Sequence, residues 1–203
     1  DGTHEIVTPL EADRPDTRSN DGRADPMGGF WIGTMAHDGG GAKGAIYRWY
    51  RGELRQLRDA VSIPNAICFA PGGRLAYFAD TARQTVWSQE LDDQGWPEAE
   101  ATVFLDLTGT DEHPDGAVTD AQGRFWNARW GSGAVVCHAP DGHVLHRLHL
   151  PPAQSTCPAF IGPDLDRLMV TSAAENLHGA QDGSTWLLDP KGARGLPEPR
   201  VIL

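Results

Sequence analysis

The 203-residue chain has only three cysteines, Cys68, Cys137 and Cys157, and no C-x-x-C pair. An odd count without paired spacing excludes a disulfide framework or a thiolate zinc site as the organising feature. Two of the thiols stand in apolar strand-like runs, Ile67-Cys68-Phe69 and Val136-Cys137-His138, where a buried cysteine is ordinary packing. The set fits a reducing, cytoplasmic compartment. No apolar run approaches the roughly 18 residues of a membrane-spanning helix, and no leader peptide is recognisable from Asp1 onward. Positive charge is also scarce: 17 Lys and Arg against 28 Asp and Glu leave a formal net charge of −11. Nucleic acid and anionic membrane surfaces call for basic patches, so neither is an expected partner. A divalent cation and a neutral or weakly charged small substrate suit this balance. Helical periodicity is nearly missing, because no window keeps apolar residues at i, i+3, i+4 and i+7 over three turns. G-x-S-x-G, P-loop, dinucleotide and H-E-x-x-H motifs are absent too.

What the chain does have is short-range alternation and turn chemistry. Ala45–Tyr50, Thr85–Leu91, Gly133–Ala139 and His143–Leu150 read as strands. They are bounded by steps such as Asp25-Pro26-Met27-Gly28-Gly29, Pro71-Gly72-Gly73 and Pro140-Asp141-Gly142, where Gly tolerates positive φ. The 24 Gly and 15 Pro are what many short strands require. A module recurs four times, opening at Asn20-Asp21-Gly22, Pro64-Asn65-Ala66, Pro114-Asp115-Gly116 and Cys157-Pro158-Ala159. Its second strand carries Trp31, Phe78, Trp126 or Met169, spaced 43 to 48 residues apart. That period, with four antiparallel strands per unit, predicts an all-β fold, a β-propeller of about four blades in one domain over residues 1–203. Trp31, Phe78 and Trp126 are expected in the core between blades.

Three copies place Asn20, Asn65 or Asp115 at nearly the same position. Loops at one rim of a propeller converge on its axis, and such oxygens suit hard cations. The same residue types are also turn formers that bond their own backbone, and the residues alone leave both readings open. Arg18 lies two residues before Asn20, so in an extended segment both face one side and could hold a polar substrate. His113 is a possible neighbour of Asp115. His37 and Asp38 follow the strand end Gly33-Thr34-Met35 and are expected near the same rim. His143, His146 and His149 have tempting spacing. On a strand, however, His146 points away from the other two, which stand about 20 Å apart, so they read as an outer strand.

These segments resemble the senescence marker protein/gluconolactonase/regucalcin family of lactonase-like propellers. The resemblance rests on Arg18-Ser19-Asn20-Asp21-Gly22 through Trp31-Ile32-Gly33-Thr34-Met35, on Ile63-Pro64-Asn65-Ala66 through Phe78-Ala79-Asp80-Thr81, and on Pro114-Asp115-Gly116 through Trp126-Asn127-Ala128. It implies six-bladed architecture, one divalent metal on the axis and hydrolysis of a sugar-acid lactone by a monomer or weak dimer. Asn65 and Asp115 match metal ligands, and Asp115 would also help activate water. Arg18 and Asn20 match substrate contacts, and Asp38 lies near another. The metal is not distinguished among Ca, Zn, Mn, Mg and Fe. The family's Glu ligand in a Gly-Pro-Trp-type segment has no counterpart here, so the chain is expected to be incomplete at the N-terminus by about 80–90 residues, two repeats of its own period. Two alternatives are a paraoxonase-like esterase or phosphotriesterase, and a calcium- or sugar-binding propeller without turnover.

Overall fold

The computed structural model describes residues 4–203, which form strands and turns without a helix. The first sheet comprises β1 (Thr17–Ala24), β2 (Phe30–Ala36), β3 (Gly44–Tyr50) and β4 (Glu53–Val61). The second comprises β5 (Pro64–Phe69), β6 (Leu75–Asp80), β7 (Thr85–Glu90) and β8 (Thr102–Asp106). The third comprises β9 (His113–Thr119), β10 (Phe125–Trp130), β11 (Ala134–His138) and β12 (Val144–His149). In the fourth, β13 (Ser155–Ile161), β14 (Arg167–Ser172) and β15 (Trp186–Leu188) make three strands. Each sheet is an antiparallel meander in chain order, so the four are propeller blades. The hairpin at Arg51-Gly52 shows how local sequence closes them. Both residues have positive φ, 50° and 84°, a two-residue turn whose twist matches the strands it joins.

The core lies between blades. Trp31, Ile46 and Val61 of the first pack on Ile67, Phe69 and Phe78 of the second. Cys68, Tyr77 and Leu105 meet Ala117 and Phe125 of the third. Val118, Trp126 and Val135 meet Leu168 and Val170 of the fourth. A blade with neighbours on both faces loses its alternation, so β5, β10 and β11 are almost wholly buried. Outer β12 is largely exposed; His143 and His149 face solvent, while His146 stacks on Trp126 with ring centroids 6.3 Å apart. Met169 lies on the second strand of its blade as expected; it is half-buried there, and its neighbours Leu168 and Val170 fill the core.

The fourth blade also departs from the four-strand pattern. After β15 the chain enters a Pro-rich stretch that lacks ladder donors. Residues 195–203 cross from the β13–β14 turn to the β1–β2 turn, with Gly195 N–H donating to Leu165 O and Ile202 N–H to Gly28 O, each at 2.8 Å. A buried ion pair and a buried hydrogen bond tie outer elements to this frame. Arg48 Nε meets Asp25 Oδ2 at 2.6 Å, its guanidinium lying 4.3 Å from the Trp96 ring centroid. His138 accepts from Arg129 Nη2 at 2.7 Å and donates from Nδ1 to Gly142 O at 2.8 Å.

Candidate functional site

Asn20, Asn65 and Asp115 were expected on rim loops. They stand instead inside the innermost strands β1, β5 and β9, at or beside a bulge in each. The bulges fall between Ser19 and Gly22, between Asn65 and Cys68, and between Pro114 and Ala117, and β13 has one at Thr156. A bulge re-aims side chains that a regular ladder would send into the blade faces. The inner strands also approach closely. A Cβ on Gly116 would stand 2.7 Å from Cys157 Sγ, so only glycine fits there.

A hydrogen-bonded relay joins three blades at this level. Arg18 Nη1 donates to Asn20 Oδ1 (3.2 Å), and Asn20 Nδ2 donates to Pro64 O (2.9 Å) and Asn65 Oδ1 (3.0 Å). Asn65 Nδ2 then donates to Thr81 Oγ1 (2.8 Å), whose hydroxyl donates to Pro114 O (2.6 Å). The relay fixes the rotamer of Asn65 and leaves its Oδ1 a second lone pair. Asn127, fully buried, donates from Nδ2 to Asp115 O (2.7 Å) and Gly116 O (3.1 Å), clamping the bulge beneath the Asp115 side chain.

Arg18, Asn20, Asn65 and Asp115 line one cavity of about 460 Å³, joined by Asp21, Thr81, Trp130, Cys157 and Glu175. A larger cleft of about 910 Å³ between the outer parts of the first two blades contains none of the expected site residues. Asp38 is not among the residues lining the 460 Å³ cavity. It is exposed in the turn after β2, where its Oδ1 accepts from Gly40 N–H at 2.9 Å. His113 lies half-buried at the start of β9, also outside the lining.

The electrostatics single out Asp115. Burial, reinforced by the neighbouring Asp21 carboxylate and only partly opposed by the Gly116 N–H, pushes its pKa up to about 7. Burial likewise raises Asp21, against the Ile67 N–H that donates to its Oδ2 at 2.9 Å. Cys157 is pushed up to about 11, chiefly by burial, so its thiol is neutral and unreactive near neutrality. Among the described residues no three His, Cys, Asp or Glu converge to hold a metal. The donors present are Asn65 Oδ1 and the Asp115 carboxylate, hard oxygens in a cavity that also holds the Asp21 carboxylate. That donor set fits one hard divalent cation with water completing its shell.

Two residues here escaped the sequence reading. Asp21 is part of the Asn20-Asp21-Gly22 turn signature, and Asn127 follows the core Trp126. The signal for Asn127 was a carboxamide between Trp126 and Ala128 in a central strand, which implies a specific buried partner.

Blades built around inner-strand bulges, with oxygen donors gathered at the axis, define a propeller with a polar axial site. Residues 1–174 match the family described as SMP-30/Gluconolactonase/LRE-like region, and the chain belongs to that family. It is 41% identical over 169 residues to a candidate sugar lactone lactonase of Rhizobium meliloti, covering 83% of this chain and 58% of that protein. A pentonolactonase of Haloferax volcanii is 37% identical over 179 residues, covering 87% of this chain and 61% of its own. The crystal structure of a calcium-binding regucalcin from Agrobacterium tumefaciens is 44% identical with a TM-score of 0.95, covering all of this chain and 70% of that one. The chain thus spans about three-fifths of the length of the two lactonase relatives.

Proposed function

We propose that this chain carries the site of a divalent-metal-dependent hydrolase that opens sugar-acid lactones. The observation that carries the reading is the convergence of Asn65 and Asp115 with the Arg18–Asn20 pair in one cavity. Membership in a family with lactonases named among its relatives supports the reaction class. Arg18 and Asn20 present a guanidinium and a carboxamide to the hydroxyl and carbonyl oxygens of the substrate. Asp115, ionised, accepts a proton from the attacking water as its oxygen bonds to the lactone carbonyl carbon. Collapse of the tetrahedral adduct breaks the ring C–O bond; the ring oxygen takes a proton and leaves as the alcohol of an open aldonic acid. A divalent cation held by Asn65 Oδ1 and Asp115 would polarise the lactone carbonyl and lower the pKa of a bound water. Calcium is the first ion to test, because the regucalcin relative is a calcium-binding protein. The three free thiols fit a reducing, cytoplasmic setting.

A substrate panel tests the class. Five- and six-membered sugar lactones should be opened, with activity lost in chelator and restored by a divalent ion, while aryl esters and organophosphates react poorly. Faster turnover of the esters would move the protein to the esterase reading. Saturable calcium binding with no turnover of any substrate would favour a binding propeller.

A further inference from the structure

We infer that Glu175 is a specificity-determining residue that confines the site to neutral lactones and rejects those with an anionic tail. The inference rests on the lactonase reading above. Glu175 lies just after β14 of the fourth blade and lines the same cavity as Arg18 on β1 of the first. Its main chain is held from both sides: Glu175 N–H donates to Gln154 Oε1 at 2.8 Å, and Gln154 Nε2 donates to Glu175 O at 2.9 Å. Residue 154 is itself bridged to Trp130, another lining residue, so the position is anchored to the third blade. Among the described residues these main-chain bonds are all that Glu175 makes, which leaves its carboxylate to whatever enters the cavity. Arg18 is free in the same sense, since its guanidinium bonds Ser19 O and Asn20 Oδ1 and no carboxylate.

The cavity therefore has poles. Arg18 is its one cationic lining residue, whereas Asp21, Asp115 and Glu175 are acids. One divalent cation at Asn65 and Asp115 would offset the two deep acids, and Glu175 would then balance Arg18. A neutral polyhydroxy lactone fits such a site, with Glu175 accepting from hydroxyls and Trp130 covering carbon. Glu175 is exposed, so a sulfonate or phosphate on the tail would face its carboxylate through water at the edge of the cavity. Discrimination by like-charge contact needs no further pocket.

The test compares the full chain with Glu175→Gln and Glu175→Lys, loaded with calcium. Substrates are a neutral hexonolactone and the same lactone bearing a terminal sulfonate. Glu175→Gln should raise the kcat/KM ratio of sulfonated to neutral lactone about three- to fivefold, the scale of one exposed charge contact. Glu175→Lys should raise it further, and the neutral lactone itself should lose some kcat/KM with its hydroxyl acceptor. A ratio unchanged within about twofold in both variants would overturn the inference. Calorimetry with a non-hydrolysable anhydro-sugar alcohol and its terminal sulfonate separates this result from failure of the lactonase reading. Weaker sulfonate binding, relieved in both variants without any turnover, would uphold Glu175 and sink the reaction. Absence of any such charge-dependent difference in binding, with no turnover, would overturn both.

Discussion

Replacing Asp115 by Asn should make the cation-free protein more stable. The side chain is only partly exposed, and its pKa rises from 3.8 to about 7 through burial and the Asp21 carboxylate. A folded pKa raised above the unfolded one means that ionising Asp115 costs folding free energy. The cost is absent below about pH 4, grows as pH rises from 4 to 7 and is complete above 7. Three units at about 1.4 kcal/mol each give about 4 kcal/mol as a ceiling. Relaxation and the exposed part of the carboxylate reduce this to about 2 kcal/mol. For a chain of this size that corresponds to about 4–8 °C in Tm. Calorimetric melts in chelator at pH 8 should show Asp115→Asn melting higher by that margin, and the difference should vanish near pH 4. Added calcium should raise the Tm of the wild type and leave the variant nearly unmoved. A variant that melts at or below the wild type in chelator at pH 8 would refute the paired-acid argument.

Other perturbations test the surrounding frame. Asn127→Leu removes two buried hydrogen bonds to the Asp115 bulge; it should cost about 1–3 kcal/mol in denaturant melts and weaken calcium binding by calorimetry. Burial, with the nearby Arg129 charge and against the Gly142 carbonyl, lowers the His138 pKa from 6.5 to about 4. The linked stability is whole above pH 6.5 and is lost as pH falls toward 4, about 2 kcal/mol by pH 4.5, and His138→Gln should lack that component. Arg48→Met strands the buried Asp25 carboxylate and should cost about 3–5 kcal/mol of unfolding free energy.

The blade array was legible because its signals are local. Gly and Asp mark the turns, and Trp31, Phe78 and Trp126 mark the second strands at a steady period. Met169 marks the second strand of the fourth blade, while Leu168 and Val170 beside it take the buried faces. Asn20, Asn65 and Asp115 could be named because their types recur at one place in successive modules, and Arg18 because it stands two residues before Asn20; the fold gathers all four in one cavity. Their setting was not readable. Bulges are register events between two strands, so nothing in Asn20-Asp21-Gly22 alone separates a bulge from a rim turn. The proton affinity of Asp115 depends on its burial and on Asp21, 94 residues away in sequence and on another blade, and only the folded blades bring them together. Asp38 was named for its place after the Gly33-Thr34-Met35 strand end and through the family resemblance, yet its carboxylate bonds a local turn.

The most direct test of the central reading is proton release on ring opening, followed with a pH indicator while calcium is titrated into chelated protein and a sugar lactone. The wild type should gain lactonase activity saturably with calcium and lose it again in chelator. Asp115→Asn should stay at the uncatalysed rate at every calcium concentration. Hydrolysis by Asp115→Asn at the wild-type rate, or none by the wild type at saturating divalent ion, would contradict the account.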